Sequence, residues 1–284
     1  MPELPEIETI RLQISKIIIG KRIETISIEK KKSFIGDPSL TYNSKIKNIR
    51  RFAKILVIDF SNNISLAVHL KMSGQLLFRS ENIEVRIKNG KLNNLPDKHT
   101  RVIITFTDGD KLFFNDMRIF GWLRVLKRED LSNIVGKLGP DALNELDEKK
   151  FYEILNSSKR PIKLVLMDQE KIAGVGNIYA NDALFLSRID PKMQANKLSN
   201  GQIVKLLGSI KRVLRDGIKW KGASRNNFRD IYGEKGNVQD HFWVYDRLGY
   251  ECPNKCGGKI KKIRLGGRGT FFCVNCQKEG DLVE

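Results

Sequence analysis

Apolar residues near the start of the chain recur with a helical period. Ile7, Ile10, Ile14 and Ile17 lie three or four residues apart, Pro5 suits a first turn and Gly20 suits a stop. Residues 2–20 are therefore predicted to form a short extended entry followed by one amphipathic helix. From Ile23 to about Leu126 the pattern changes to short β-type runs, among them Ile55–Phe60, Ser65–Leu70, Val102–Phe106 and Lys111–Phe114. Asp108-Gly109, between the last two, is a hairpin signal. After Gly136 the pattern turns helical, with candidates at Glu148–Leu155 and Ile162–Met167, another from Asn177, and the clearest from Ser199 to Trp220. That last one has a possible capping box in Ser199 and Gln202 and an apolar stripe of Ile203, Leu206, Leu207, Ile210, Val213 and Leu214. Ser224–Gln239 is polar, lacks an apolar period and reads as a long loop, a class that is often functional. The expectation is an α+β chain in three parts. Residues 1–135 would form a helix plus antiparallel β-sandwich, 136–245 a helical domain, and 246–284 a small cysteine-bearing module.

Charge narrows the class of partner. Of 284 residues, 51 are Lys or Arg and 33 are Asp or Glu, a formal net charge of +18. Such an excess says nothing of fold but favours a polyanionic partner. No apolar run approaches the roughly 20 residues that span a bilayer, so no membrane partner is expected. Glu3, Glu6 and Glu8 also occupy positions where a signal peptide would be basic and then apolar. The expected compartment is the cytoplasm, where disulfides are rare, so the four cysteines need another explanation.

They fall as Cys252-x3-Cys256 and Cys273-x2-Cys276, sixteen residues apart. Two close pairs flanking a hairpin-sized insert suit four thiolates around one tetrahedral zinc, closed and therefore structural. Gly257, Gly258 and Gly266-Gly267 allow the tight backbone of such a ribbon. The insert carries Lys259, Lys261, Lys262, Arg264 and Arg268, suited to neutralising phosphates; Arg268, near the tip, is singled out as a further candidate for the catalytic site.

The opening Met1-Pro2-Glu3-Leu4-Pro5-Glu6 has two readings. In one it is an ordinary helix start, with proline in the first turn and acids at the positive dipole end. In the other, removal of Met1 exposes the secondary amine of Pro2, which can attack a sugar carbon and form an iminium, with Glu3 and Glu6 as acid/base partners.

The combination of that start, the cysteine module and the motifs between them resembles the formamidopyrimidine-DNA glycosylase family, over nearly the whole chain and in the right order. The resemblance implies that Pro2 is the nucleophile, that Glu3 protonates the sugar or base and that Glu6 assists. Arg51-Phe52-Ala53-Lys54 resembles the family's Arg-x-Ala/Gly-Lys segment, implying that Lys54 lies in the active site and contacts phosphate. His69-Leu70-Lys71-Met72-Ser73-Gly74 resembles a turn whose methionine fills the gap left by an extruded nucleotide; Met72 and His69 inherit the wedge and a phosphate contact. Asp116-Met117-Arg118-Ile119-Phe120-Gly121 resembles a loop whose arginine meets the orphaned base and whose phenylalanine wedges between base pairs, roles implied for Arg118 and Phe120. Gly174-Val175-Gly176-Asn177-Ile178-Tyr179-Ala180 resembles the turn of a helix–two-turn–helix element, with Asn177 on a phosphate and Lys163 as a second contact.

The resemblance thus implies a bifunctional glycosylase and abasic-site lyase, acting as a monomer on damaged double-stranded DNA and excising oxidised purines. Two alternatives remain: an endonuclease VIII-like enzyme for oxidised pyrimidines, and a non-catalytic zinc-finger DNA-binding protein. Leu4 favours the purine enzyme. Some positions depart from the family pattern: Met117 and Ile119, the three-residue spacing of the first cysteine pair, Arg101 where a histidine is common, and Asn226 near a position where some relatives have lysine.

Overall fold

The computed structural model describes residues 1–81, 92–224 and 227–278. Helix α1 covers Leu4–Ile18 and begins with a reciprocal cap: the Glu3 side chain accepts from the backbone of Glu6, and the Glu6 side chain accepts from the backbone of Glu3. Its buried stripe is Ile7, Ile10, Ile14 and Ile18, with Ile17 only partly covered. At 3.6 residues per turn Ile18 stands about 40° round the axis from Ile14 and Ile17 about 60° to the other side, so Ile18 stays nearer the stripe. Each fully buried isoleucine contributes about 1.5–3 kcal/mol relative to exposure.

Two sheets follow. One has the order β1-β7-β8-β6, from Ile23–Ile28, Thr100–Phe106, Lys111–Asp116 and Gly74–Arg79. The other has the order β2-β9-β5-β4-β3, from Phe34–Ile35, Trp122–Lys127, Ile64–His69, Ile55–Phe60 and Ile46–Phe52. All pairings are antiparallel except the two-residue contact of β2 with β9. The inward residues of both sheets and the α1 stripe share one apolar core, the expected sandwich with a helix attached. At the Asp108-Gly109 turn, Gly109 takes φ +88° between β7 and β8.

The helices after the sandwich are α2 (Arg128–Val135), α3 (Glu148–Asn156), α4 (Ile162–Leu166), α5 (Asn177–Ser187) and α6 (Asn200–Lys219). The expected Ser199/Gln202 box is present, each side chain accepting from the other's backbone N–H, and the six predicted apolar positions of α6 are all buried. Strands β10 (Ile260–Leu265) and β11 (Arg268–Cys273) form the C-terminal hairpin. Among the described residues, no helix is long and apolar enough to cross a membrane.

The chain forms two compact units: Met1–Lys137 with Gly217–Gln239, and Leu138–Asp216 with Asp240–Glu284. The polar stretch that reads as a loop therefore belongs to the first unit, although it lies within the span expected for the helical domain. Two isolated apolar residues anchor it: Phe228 and Ile231 enter the sandwich core, and the Ile231 carbonyl accepts from Phe78 N. Asp230 folds the next turn by accepting from the N–H groups of Tyr232 and Glu234, and it also accepts from Gln13 on α1. Asn226 lies outside the described residues.

Candidate functional site

In the first unit the chemistry gathers at the head of α1. Pro2, Glu3 and Glu6 are all buried, the last two at 2% and 1% exposure, whereas Met1 is 40% exposed. Buried carboxylates are rare unless hydrogen-bonded, and Glu6 shows why it is tolerated. One of its oxygens accepts from Glu3 N at 2.7 Å and the other from Ala223 N at 2.7 Å. It thus ties the start of α1 to the 222–223 turn. Gly222 is needed there: its φ is +81°, and an added Cβ would stand 2.9 Å from the Glu6 side chain. Glu6 is a positioning group by its contacts, which leaves the buried Glu3 as the acid closest in sequence to Pro2.

Lys54 is buried at 5% exposure in the turn between β3 and β4, directly after Ala53, a non-glycine residue held at φ +52°. Arg51 supports this turn. Its side chain is 3% exposed, and it donates to Glu8 on α1 at 2.8 Å and to the Ala53 carbonyl at 3.1 Å. Burial pushes the Glu8 carboxyl up, but hydrogen bonds from Arg11 and Arg51 outweigh it and hold the group below the usual carboxylate range. The lysine-bearing turn and the helix that begins at Glu3 are thereby joined through one ion pair.

His69 ends β5. Its Nδ1 accepts from Lys71 N at 3.0 Å, so the ring proton of the neutral form sits on Nε2. Burial, then repulsion from Lys71, Lys54 and Arg124, pushes its pKa down to about 3. His69 is a neutral N–H donor under ordinary conditions, and it lies within electrostatic reach of Lys54.

The turn carrying Met72 and the loop carrying Arg118 and Phe120 are brought together by Asp116, which is fully buried. The Ser73 hydroxyl donates to Asp116 Oδ1 at 2.5 Å; Phe120 N and Gly121 N donate to Oδ2 at 2.8 and 2.7 Å. Arg118 N meets both Ser73 Oγ and Asp116 Oδ1. Held this way, Ile119 adopts φ +56°, Phe120 and Met117 stand about half exposed, and the Arg118 guanidinium lies 4.8 Å from the centre of the Phe120 ring. Met72 is half-buried, next in sequence to the Ser73 that Asp116 holds. Arg101, the departure from the family's histidine, donates from Nε to the Asp116 carbonyl at 2.8 Å and so braces the same loop. A cavity of about 240 Å³ opens here, lined by Ser73, Gln75, Asn115, Met117 and Asn227 among others. Gln75 closes one side by donating to the Asn227 carbonyl.

In the second unit, α5 begins at Gly176 without a side-chain cap, and Asn177 is its first residue. The Asn177 Oδ1 is buried without a hydrogen-bond partner. Lys163 does not reach the surface. It is fully buried in α4, and its ammonium donates to the Gly269 carbonyl at 3.0 Å and the Thr270 hydroxyl at 2.7 Å. Beside it, Leu164 receives the hairpin turn: a Cβ on Gly266 would lie 2.4 Å from the Leu164 side chain. The Gly266-Gly267 turn has φ +56° and +75°, the left-handed pair that a two-residue hairpin requires. Arg268 follows it and is exposed; Lys259, Lys261, Lys262 and Arg264, which precede it, are exposed too. Asn181 and Asp182, adjacent on α5, have contacts that the sequence did not signal. Asn181 joins the Asn177 carbonyl to Phe271 N, and Asp182 accepts from the backbones of Trp243, Val244 and Tyr245 at 2.9–3.1 Å. Burial pushes the Asp182 carboxyl up to about 6 despite those three donors.

Cys252, Cys256, Cys273 and Cys276 converge as expected, with all four sulfurs within 4.8 Å of one another. Two of the pairs, Cys252–Cys276 and Cys256–Cys273, are 3.6 and 3.5 Å apart. That is far beyond a disulfide bond of about 2.05 Å and near the ~3.8 Å separation that a tetrahedral ion with bonds of about 2.3 Å imposes. The three-residue spacing of the first pair is absorbed by a turn in which Lys255 N donates to the Cys252 carbonyl. The four thiols can hold a metal ion.

Comparison with known proteins agrees along the chain. Residues 1–123 match the formamidopyrimidine-DNA glycosylase N-terminal domain, residues 138–229 the formamidopyrimidine-DNA glycosylase H2TH domain, and residues 251–278 a zinc finger found in FPG and IleRS. The formamidopyrimidine-DNA glycosylase of Chloroflexus aurantiacus is 37% identical over 98% of each chain. That of Mycoplasma mobile is 35% identical over 98% of this chain and 99% of its own. Among solved structures, the Lactococcus lactis Fpg in complex with abasic-site DNA superposes with a TM-score of 0.87 at 30% identity, covering 98% of this chain and all of that one. MutM in complex with DNA containing carbocyclic 8-oxo-G gives 0.86 at 32% identity over the same shares. With buried carboxylates beside Pro2, a braced 116–121 loop and a four-cysteine hairpin all in place, the chain belongs to the formamidopyrimidine-DNA glycosylase family.

Proposed function

We propose that this protein removes oxidised purines, 8-oxoguanine and formamidopyrimidines, from double-stranded DNA and then cleaves the resulting abasic site. Solved relatives are complexes with DNA containing Fapy-dG, carbocyclic 8-oxo-G or an abasic site. The observation that carries the reading for this chain is the burial of Glu3 beside Pro2, with Glu6 wholly engaged in holding that start in place.

With Met1 removed, the Pro2 nitrogen is a secondary amine. It attacks the anomeric carbon as the glycosidic bond breaks, and the base leaves with the bonding pair. Glu3 supplies the proton that opens the sugar ring, leaving an iminium between sugar and proline. The iminium withdraws electrons, so the 3′ phosphate and then the 5′ phosphate leave by β- and δ-elimination. Release by water returns the amine and leaves a one-nucleotide gap with phosphorylated ends. Lys54 and the neutral His69 donate to backbone phosphate. Met72, Arg118 and Phe120 occupy the space vacated by the extruded nucleotide, offsetting part of its unstacking cost of a few kcal/mol. The cavity between Gln75 and Asn227 is the proposed receptacle for the base. Asn177 and Arg268 bind phosphate in the second unit. One zinc ion, held by the four cysteines, stabilises the hairpin and takes no part in the reaction. The enzyme acts as a monomer in the cytoplasm.

Incubation with borohydride tests the substrate. A duplex carrying 8-oxoguanine opposite cytosine should yield a trapped covalent complex, and one carrying an oxidised pyrimidine should yield much less. The reverse preference would favour the endonuclease VIII-like alternative. No trapping on either would favour the non-catalytic one.

A further inference from the structure

Asn177 and Arg268 lie on different elements, yet both must face phosphates of one DNA backbone, whose spacing is fixed. Something has to set the distance between them. Besides the apolar cluster that joins Phe271 and Cys273 to Phe185, three contacts seat the hairpin on the helices of the second unit. Gly266 rests on Leu164, Gly269 and Thr270 are held by the buried Lys163 ammonium, and Phe271 N donates to Asn181 Oδ1 at 2.8 Å. Only the last of these contacts also reaches the start of α5, because the Asn181 amide donates in turn to the Asn177 carbonyl. Asn181 is 1% exposed and thus kept from DNA. One planar side chain therefore spans the first turn of α5 and a point on β11 three residues, about 10 Å, beyond Arg268.

We propose that Asn181 is a positioning residue that locks Asn177 and Arg268 into a single two-point phosphate clamp. Its carboxamide is suited to this because it holds an NH₂ donor and a carbonyl acceptor in one fixed plane. Leucine, of similar shape, offers neither, and alanine leaves the span empty. The inference rests on the phosphate roles proposed above for Asn177 and Arg268.

The test measures affinity for a duplex containing a tetrahydrofuran abasic analogue, by fluorescence anisotropy across a salt series, for the full-length zinc-loaded protein. Each phosphate contact contributes about −0.9 to the slope of log K against log salt. Asn181→Leu should bind about tenfold more weakly at moderate salt, with a slope shallower by about one contact. Its zinc content and melting should remain those of a folded chain. In an Arg268→Ala background, the same substitution should change the slope no further, since the clamp is already broken. Asn181→Ala, which suits a helix, provides the same reading if the leucine variant does not fold. A wild-type slope in either folded variant, or a slope change that simply adds to that of Arg268→Ala, overturns the proposal. If the unsubstituted protein itself fails to bind, it is the DNA-repair reading that falls.

Discussion

Exchange of Glu3 for glutamine is expected to slow base excision by about 10²–10⁴-fold, the usual worth of a positioned proton donor. The substitution is nearly isosteric. The glutamine carbonyl can still accept from the Glu6 backbone, so the cap that begins α1 survives and thermal stability should barely move. What is lost is the acidic proton. Cleavage of a preformed abasic site should fall much less, because attack on a free aldehyde requires no base to depart. Glu6→Gln provides the contrast. Both Glu6 oxygens accept from backbone N–H groups, of Glu3 and Ala223, and a glutamine must turn an NH₂ towards one of them. That variant should lose about 1–3 kcal/mol of stability along with its activity. Single-turnover excision beside thermal melting separates the two; a Glu3→Gln enzyme that excises within a few fold of the parent would remove Glu3 from the mechanism.

Stripping the metal should have the second large effect. Structural zinc contributes about 10–16 kcal/mol in isolated finger peptides, and the apolar cluster that Ile260 and Phe271 of the hairpin form with Phe185 and Val244 includes two of the four cysteines, Cys252 and Cys273. Cys273 is fully buried, and its backbone N–H is held by Gln277, which in turn donates to the Ile189 carbonyl. Losing the tetrahedron should therefore loosen the Cys273 end of β11, leaving Lys163 and Asn181 to hold the rest, and with it the exposed basic residues of the hairpin. Chelation, or Cys273→Ser, should weaken DNA binding by about 10²-fold or more through lost phosphate contacts. Metal analysis should find one zinc per chain before treatment. The first unit, whose core is built from α1 and the two sheets, should keep its own melting transition. Undiminished DNA binding by metal-free protein would contradict this account.

Much of the architecture was legible because periodic burial writes itself into sequence. The α1 and α6 stripes, the hairpin at Asp108-Gly109 and the cysteine spacing each rest on local geometry. The stretch 224–239 was less legible. It has no apolar period, and only the fold shows that Phe228 and Ile231 reach the core singly while Asp230 organises the turn between them and Glu234. The polar organisers were invisible for a related reason. Lys163 reads as a surface phosphate contact on a basic chain, and nothing local says that its ammonium is fully buried against Gly269 and Thr270. Asp116 is conspicuous only as the first residue of a loop motif, yet its two oxygens hold together the turn of Met72 and the loop of Arg118 and Phe120. Arg101 stands as an exception to the family pattern in sequence and as a brace of that same loop in space. Pro2 was legible as a candidate beside a plain helix start, and its combination with the downstream motifs and the cysteine module favoured the amine; the fold adds that Glu3 and Glu6 are buried next to it.

The proline amine is the centre of the account, and one measurement reaches it directly. The complex trapped by borohydride on 8-oxoguanine DNA is digested with protease and nuclease, and the modified peptide is sequenced by mass spectrometry. The adduct should lie on Pro2 of a chain that has lost Met1. An adduct on Lys54 instead, or excision of the base by protein that still carries Met1, would contradict it.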